Sequence, residues 1–188
     1  MTDKKPPSPS VLRQLIDYDP ETGALVWRVR DVSFFTDGKK SAIQSMRRWN
    51  TRYAGKPALN CKGNAGYFSG KIFNRSCFAH RVAWAIYLGA WPECQIDHIN
   101  GNKLDNRIEN LRSATNQENG KNRAIGINNT SGTIGVYWRI DKSKWLASIN
   151  KNGKQKHIGY FKSKDEAIQA RAKASAEYGY HANHGRKP

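Results

Sequence analysis

QIDHINGNKLDNRIENLRSATNQENGKNR, residues 95–123, is the stretch that decides how this chain is read. Ile96-Asp97-His98-Ile99 suits a short strand in which apolar residues frame a carboxylate and an imidazole. An Asn-, Gly- and Asp-rich loop follows, and Asn110-Leu111-Arg112 suits a second strand. Thr115-Asn116-Gln117-Glu118 has the S/T-x-x-E form of a capping box, which predicts a helix starting at Thr115 with Asn119 in its opening turns. A strand pair crossed by that helix would bring Asp97, His98 and Asn119 together.

These residue types suit phosphodiester cleavage, which needs an activated water, charge stabilisation at phosphorus and help for the departing oxygen. His98 can take the proton from water, because an ordinary imidazole titrates near pH ~6.5. Asp97 and Asn119 offer two oxygen ligands to one hard divalent ion. The coordination positions left for water and phosphate oxygens favour Mg²⁺, or Mn²⁺, over a fully caged Zn²⁺. In isolation an Asp-His pair in an Asn-rich stretch is a turn. The joint spacing, with Asn110 twelve residues after His98 and Asn119 nine further on, turns the reading toward function.

The segment resembles the HNH endonucleases, specifically the phage and intron-encoded homing branch. The resemblance lies in Asp97-His98, Asn100-Gly101-Asn102-Lys103, Asn106, Asn110-Leu111-Arg112 and Asn119, with His80-Arg81 and Trp84 upstream. It is strong over residues 80–123 and loose over the preceding strands. It implies a ββα-metal core over 94–123, His98 as general base, Asp97 and Asn119 as metal ligands, and Asn110 as a brace on the loop through backbone hydrogen bonds. Asn119 stands where many members carry His, and a neutral amide is a weaker ligand. His80 reads as a structural residue at a helix start. Arg112 and Arg123 read equally as phosphate contacts or as solvated side chains.

The surrounding chain carries the charge that such a site needs. The net charge is +17 over 188 residues, which makes nucleic acid the first partner to consider and an acidic membrane surface the second. Residues 1–79 hold 14 basic against 6 acidic residues, 80–123 hold 6 against 5, and 124–188 hold 12 against 4. Two basic flanks around a nearly neutral, carboxylate-bearing centre suit a nuclease; two solvated basic faces are the plainer alternative. Cys61, Cys77 and Cys94 are odd in number and lack C-x-x-C spacing, so they read as packing thiols in a reducing compartment. No secretory h-region and no run of about 18 apolar residues is present, so a cytoplasmic protein of a bacterial or phage-infected cell is expected.

Order is expected from about Val11, after a disordered polar tail over residues 1–10. VLRQLIDYDPETG reads as a short helix ending in a Pro-containing turn. ALVWRVR reads as a half-buried strand with Leu25, Trp27 and Val29 on one face. Further strands are expected at 66–73 and 76–79, and a helix at 80–89 stopped by Gly89 and Pro92. MRRWNTRYAGK reads either as a surface loop with two anchoring aromatics, slightly preferred, or as a nucleic-acid grip.

After a Gly- and Asn-rich linker, TIGVYWR, KWLASIN and QKHIGYF read as three strands, with Asn152-Gly153 as a tight hairpin turn. Ser163-Lys164-Asp165-Glu166 is another capping box, opening a helix with a stripe of Ala167, Ala170, Ala174 and Tyr178. That helix covers one face of the sheet and leaves the other to Tyr137, Arg139, Lys144, Asn150, Lys154 and Lys156. The unit resembles the ethylene-response-factor type of DNA-binding domain, through Gly135-Val136, Trp145, Ala147, Ile149, Ile158-Gly159-Tyr160-Phe161 and Glu166-Ala167. The resemblance implies a sheet in the major groove, with Arg139 matching a family Arg; Tyr137 and His157 depart from the family's usual Arg and Trp. Trp138 is either a DNA contact or, like Trp145, a packing residue.

The expected protein is thus α+β: a tail (1–10), an HNH nuclease domain (11–123) with a small β-rich N-terminal region, a linker (124–131), a three-stranded antiparallel sheet packed on one helix (132–180) and a tail (181–188). It would hydrolyse double-stranded DNA with one divalent ion, Mg²⁺ before Mn²⁺, using His98, Asn110, Asp97 and Asn119. It would hold DNA through Tyr137, Trp138, Arg139, Lys144, Asn150, Lys154 and Lys156. The competing expectation is a non-catalytic, sequence-specific DNA-binding regulator on a degenerate nuclease scaffold. Neither oligomeric state nor target sequence is fixed by these residues.

Overall fold

A computed structural model of the chain describes residues 5–122, 125–126, 128–151, 153–180 and 184–185, with only the backbone of 116 and 117. Arg123, Asn152 and parts of the expected linker and tails lie outside the described residues. The chain forms two compact units, one from 1–98 with 102–113 and the other from 99–101 with 114–188. The helix after Thr115 is therefore grouped with the second unit, whereas the sequence reading ended the first domain at residue 123.

In the first unit, α1 (Pro9–Leu15) begins two residues earlier than expected, because Ser8 accepts from the Val11 N–H and Pro9 suits the first helical position. The chain turns extended at Ile16 rather than continuing to the proline. β1 (Ile16–Tyr18) pairs antiparallel with β2 (Leu25–Trp27). Leu25 and Trp27 enter the core as expected, but β2 stops at Trp27 and Val29 stays exposed. The stretch read preferentially as a loop is instead most of α2 (Ala42–Tyr53). Ser41 and Gln44 form a complete capping box there, an S-x-x-Q signal that starts the helix ahead of the arginines. β3 (Cys61–Lys62), β4 (Phe68–Ile72) and β5 (Arg75–Phe78) make a three-stranded antiparallel sheet in chain order. α3 (Ala79–Leu88) follows and is ended by left-handed Gly89.

The core of this unit joins Leu12, Leu15, Ile16, Leu25, Trp27, Ile72, Val82, Ala85 and Ile86. A second apolar cluster of Ala83, Ile96 and Leu111, with Tyr18 and Trp84 against it, seats β6 (Gln95–His98) and its partner β7 (Leu111–Ala114) on α3. The first unit is thus a mixture of helices and small sheets rather than a β-rich lead-in. Asn110 ends a 3₁₀ turn (Ile108–Asn110) instead of opening β7.

In the second unit, α4 (Asn116–Lys121) is capped by Thr115 with Glu118 returning the bond, as the capping box predicts. β8 (Val136–Arg139), β9 (Lys144–Lys151) and β10 (Lys154–Phe161) form an antiparallel sheet in the order β10-β9-β8. α5 (Lys164–Glu177) packs Ala167 against Val136 and Ala147. Arg171, not Ala170, shares its buried face with Ala167 and Ala174.

The turn between β1 and β2 bears directly on the loop before β7. Gly23 has φ +75°, and a Cβ there would stand 2.6 Å from the Arg107 nitrogen and 2.6 Å from the Asn106 carbonyl carbon. Both the backbone angle and the space demand glycine. Gly23→Ala should lower the stability of the first unit by about 2–4 kcal/mol. An unfolding midpoint in urea equal to that of the wild type would show that the contact is not made.

Candidate active site

β6 buries a carboxylate and an imidazole side by side: Asp97 is 8% exposed and His98 3%. Buried polar groups are tolerated when they are bonded, and both are. Across the strand pair, Arg112 of β7 donates to Asp97 Oδ2 from Nε at 3.1 Å and from Nη2 at 2.8 Å. His98 Nε2 lies 3.4 Å from Oδ1 of Asn106, itself buried. A proton on Nε2 is the tautomer in which this contact is a hydrogen bond to the amide oxygen.

Aromatic groups enclose the imidazole. His80, near the start of α3, meets it edge-on at 5.1 Å between centroids, and Tyr67 lies 5.7 Å away. Phe78 stacks on His80 in turn. Burial pushes the pKa of His98 below its ordinary value, with the bond to Asn106 working in the opposite direction. Burial, reinforced by His98 and Arg81, pushes His80 down to about 3. Both rings are therefore uncharged at neutral pH, as a proton acceptor must be.

The loop that carries Asn106 is closed by its own residues. Arg107 engages both carboxylate oxygens of Asp105, each at 2.9 Å, and Asn110 Nδ2 donates to the Asp105 carbonyl at 2.8 Å. Lys103 donates to the Ala65 carbonyl and lies over the Tyr67 ring, tying the loop to the β3–β4 connection. From the far side, the Tyr18 hydroxyl donates to the Asn106 carbonyl at 2.8 Å, and Ile108 N–H donates to Pro20. The β1–β2 hairpin therefore fixes the residue that fixes His98.

Among the expected catalytic residues, Asp97, His98 and Asn110 share the first unit. Asn119 belongs to α4 of the second, where its N–H donates to the Thr115 carbonyl at 2.9 Å. Arg112, left open between phosphate contact and solvent, is the partner of Asp97. His80 and Tyr67 were not expected at the site. The burial of His80 beside Val82 and Ala83 was a usable signal, but nothing in the sequence singles out Tyr18. Among the described residues no three His, Cys, Asp or Glu side chains converge as in a caged transition-metal centre. The Asp97 carboxylate is a hard oxygen donor of the kind that Mg²⁺ or Mn²⁺ takes.

In the second unit the seven expected DNA contacts divide between the two faces of the sheet. Residues alternate along a strand, and the register pairs Trp138 with Trp145, Lys154 with Lys151 and Lys156 with Ile149. Trp138, Lys154 and Lys156 therefore lie on the face that carries Val136 and Ala147 toward α5. Lys156 in fact donates to the Tyr178 hydroxyl just after α5. Tyr137, Arg139, Lys144 and Asn150 share the opposite face. Arg139 is bound there by Asp141 in a two-pronged ion pair of 2.8 and 3.0 Å.

The HNH endonuclease family model matches residues 77–121, spanning β6, β7 and the loop between them. The chain is 35% identical to Protein 3.8 of Escherichia phage T7 over 96 residues, covering 50% of this chain and 77% of that protein. It is 29% identical to an uncharacterized HNH endonuclease of Acanthamoeba polyphaga mimivirus over 147 residues, covering 77% of this chain and 70% of that protein. No solved structure matches significantly. Residues 77–121 thus form an HNH endonuclease domain, which supports nuclease activity. No match supports the ethylene-response-factor resemblance of the second unit. No described helix is long and apolar enough to cross a membrane.

The two depressed histidine pKa values couple folding to pH. Their neutral forms are favoured in the folded state, so this stability is complete above pH ~6.5 and is lost as pH falls toward the folded values. Below pH ~6.5 and down to pH 5, His80 should cost the first unit up to about 1.4 kcal/mol per pH unit, with His98 acting in the same direction. His80→Phe should retain part of that lost stability, read as a smaller shift of the urea midpoint. An identical shift in both proteins would refute the assignment.

Proposed function

We propose that this protein is a metal-dependent DNA endonuclease in which His98 is the general base. The observation that carries the reading is the buried, uncharged His98 ring, contacted by Asn106 and next along β6 to Asp97. His98 accepts the proton of the attacking water as the water oxygen bonds to phosphorus. The bond to the departing oxygen breaks, and that oxygen takes its proton from solvent. A bound Mg²⁺ or Mn²⁺ would neutralise charge on the phosphate and the departing oxygen. Asp97 supplies a carboxylate oxygen for the ion, and Asn119 is assigned the second on motif spacing alone. Asn110 acts as a positioning residue, through the loop that holds Asn106.

Double-stranded DNA is the substrate that the charge of the chain favours. The sheet face with Tyr137, Arg139, Lys144 and Asn150 is proposed to hold it, Arg139 exchanging Asp141 for a base edge or a phosphate. The motif resemblance and the phage and viral relatives support a homing-type enzyme of phage origin. A non-catalytic DNA-binding regulator is the second reading, favoured by the Arg112 cation already paired with Asp97.

Supercoiled plasmid separates the two readings. Wild type with Mg²⁺ should relax or linearise it, chelator should stop the reaction, and His98→Ala should lower the rate at least a hundredfold while still retarding DNA on a gel. Binding without cutting across Mg²⁺, Mn²⁺, Ca²⁺ and Zn²⁺ would leave the regulator. For the sheet, Arg139→Ala with Lys144→Ala should reduce the salt dependence of binding by about 1–2 units of log slope, whereas Lys156→Ala should not. The reverse order would move the DNA to the other face.

A further inference from the structure

We propose that α2 is a second DNA-binding surface, an arginine face that lies on the phosphate backbone of duplex DNA. At 100° per residue, Gln44, Arg47, Arg48, Thr51 and Arg52 occupy one side of the helix, and all five are exposed. The aromatic residues between them point the other way. Trp49 meets Trp27 of the core at 5.5 Å and Tyr53 packs beside it at 5.2 Å. The buried Arg30 guanidinium stacks over Trp49 at 3.7 Å, adding a fixed positive charge behind the helix. The aromatics are thus unavailable for base stacking, and the face that remains reads charge alone.

The charge on that face is uncompensated. α2 contains no acidic residue. Among the described residues none of Arg47, Arg48 and Arg52 makes an ion pair, whereas Arg28, Arg107, Arg112 and Arg139 all do. The nearby Asp37 accepts the Ala42 N–H, the opening bond of the helix. Arg48 and Arg52 are like charges four residues apart, an arrangement that weakens a helix. A locally unfavourable pattern without internal compensation suits a surface completed by a polyanion. Arginine also grips phosphate in two-pronged fashion.

This inference rests on the reading of the protein as a DNA binder but not on its chemistry, so it is tested with chelator present. Binding of a fluorescent duplex to the full chain would be followed from 50 to 400 mM KCl. Arg47→Gln, Arg48→Gln and Arg52→Gln combined should lower the log–log salt slope by about 2–3 and weaken binding on the order of a hundredfold at 0.1 M salt. Each single change should remove about 0.9. The triple Lys variant should restore most of the slope, and all variants should keep the wild-type unfolding midpoint. An unchanged slope in the triple Gln variant would overturn the inference while leaving the nuclease reading intact. A slope change seen with duplex RNA and not with duplex DNA would overturn it as well. A wild type that does not bind duplex DNA would end both readings together.

Discussion

The first unit is organised around the cost of burying Asp97 and His98 next to each other. A carboxylate and an imidazole at under one-tenth exposure are stable only if their partners are held in place. The rest of the unit supplies those partners. Arg112 comes from the neighbouring strand, Asn106 from a loop closed by Asp105, Arg107 and Asn110, and an aromatic wall from Tyr67 and His80. The apolar cluster under Ile96 and Leu111 does not provide specificity, but it keeps β6 and β7 flat on α3 so that these bonds can form.

Arg112 and Asn106 set opposite conditions on the chemistry. The amide of Asn106 holds the imidazole from one side, and a general base at that position would be oriented by it. The guanidinium of Arg112 stabilises the carboxylate and engages its Oδ2, so it would compete with a divalent cation for Asp97. The ion pair therefore has to loosen, or share its oxygen, before the carboxylate can serve as a ligand. The second unit repeats this theme on its open sheet face, where Arg139 is occupied by Asp141.

The elements that carried local signals were legible in the sequence. The Thr115 and Ser163 capping boxes opened helices where expected, Gly89 closed one, and the three C-terminal strands lie at their expected positions. The S-x-x-Q signal at Ser41 is equally present in the sequence, but the loop reading considered only the aromatic–arginine mixture after it and so missed the helix. The sheet faces were read only in part: Tyr137, Arg139, Lys144 and Asn150 share one face as expected, but Lys154 sits opposite Lys151, which puts Lys154 and Lys156 on the helix side instead. What no local pattern contains is the contact of Tyr18 with Asn106, made across 88 residues. Nor does the motif say that Arg112 pairs with Asp97, since a strand pair fixes facing residues only once its register is known.

The docking of the β1–β2 turn against the 105–108 backbone limits how this protein could be rearranged. A segment cut at the motif boundaries would carry the base and its carboxylate but leave behind Tyr18, Pro20 and Gly23, the groups that hold the loop from outside. The portable unit in recombination is therefore larger than the motif by 59 residues of upstream sequence, counted from Tyr18 to the start of the family match at residue 77. Exchange between lineages should conserve the hairpin and the loop as one inherited block, even where the helix and sheet between them diverge.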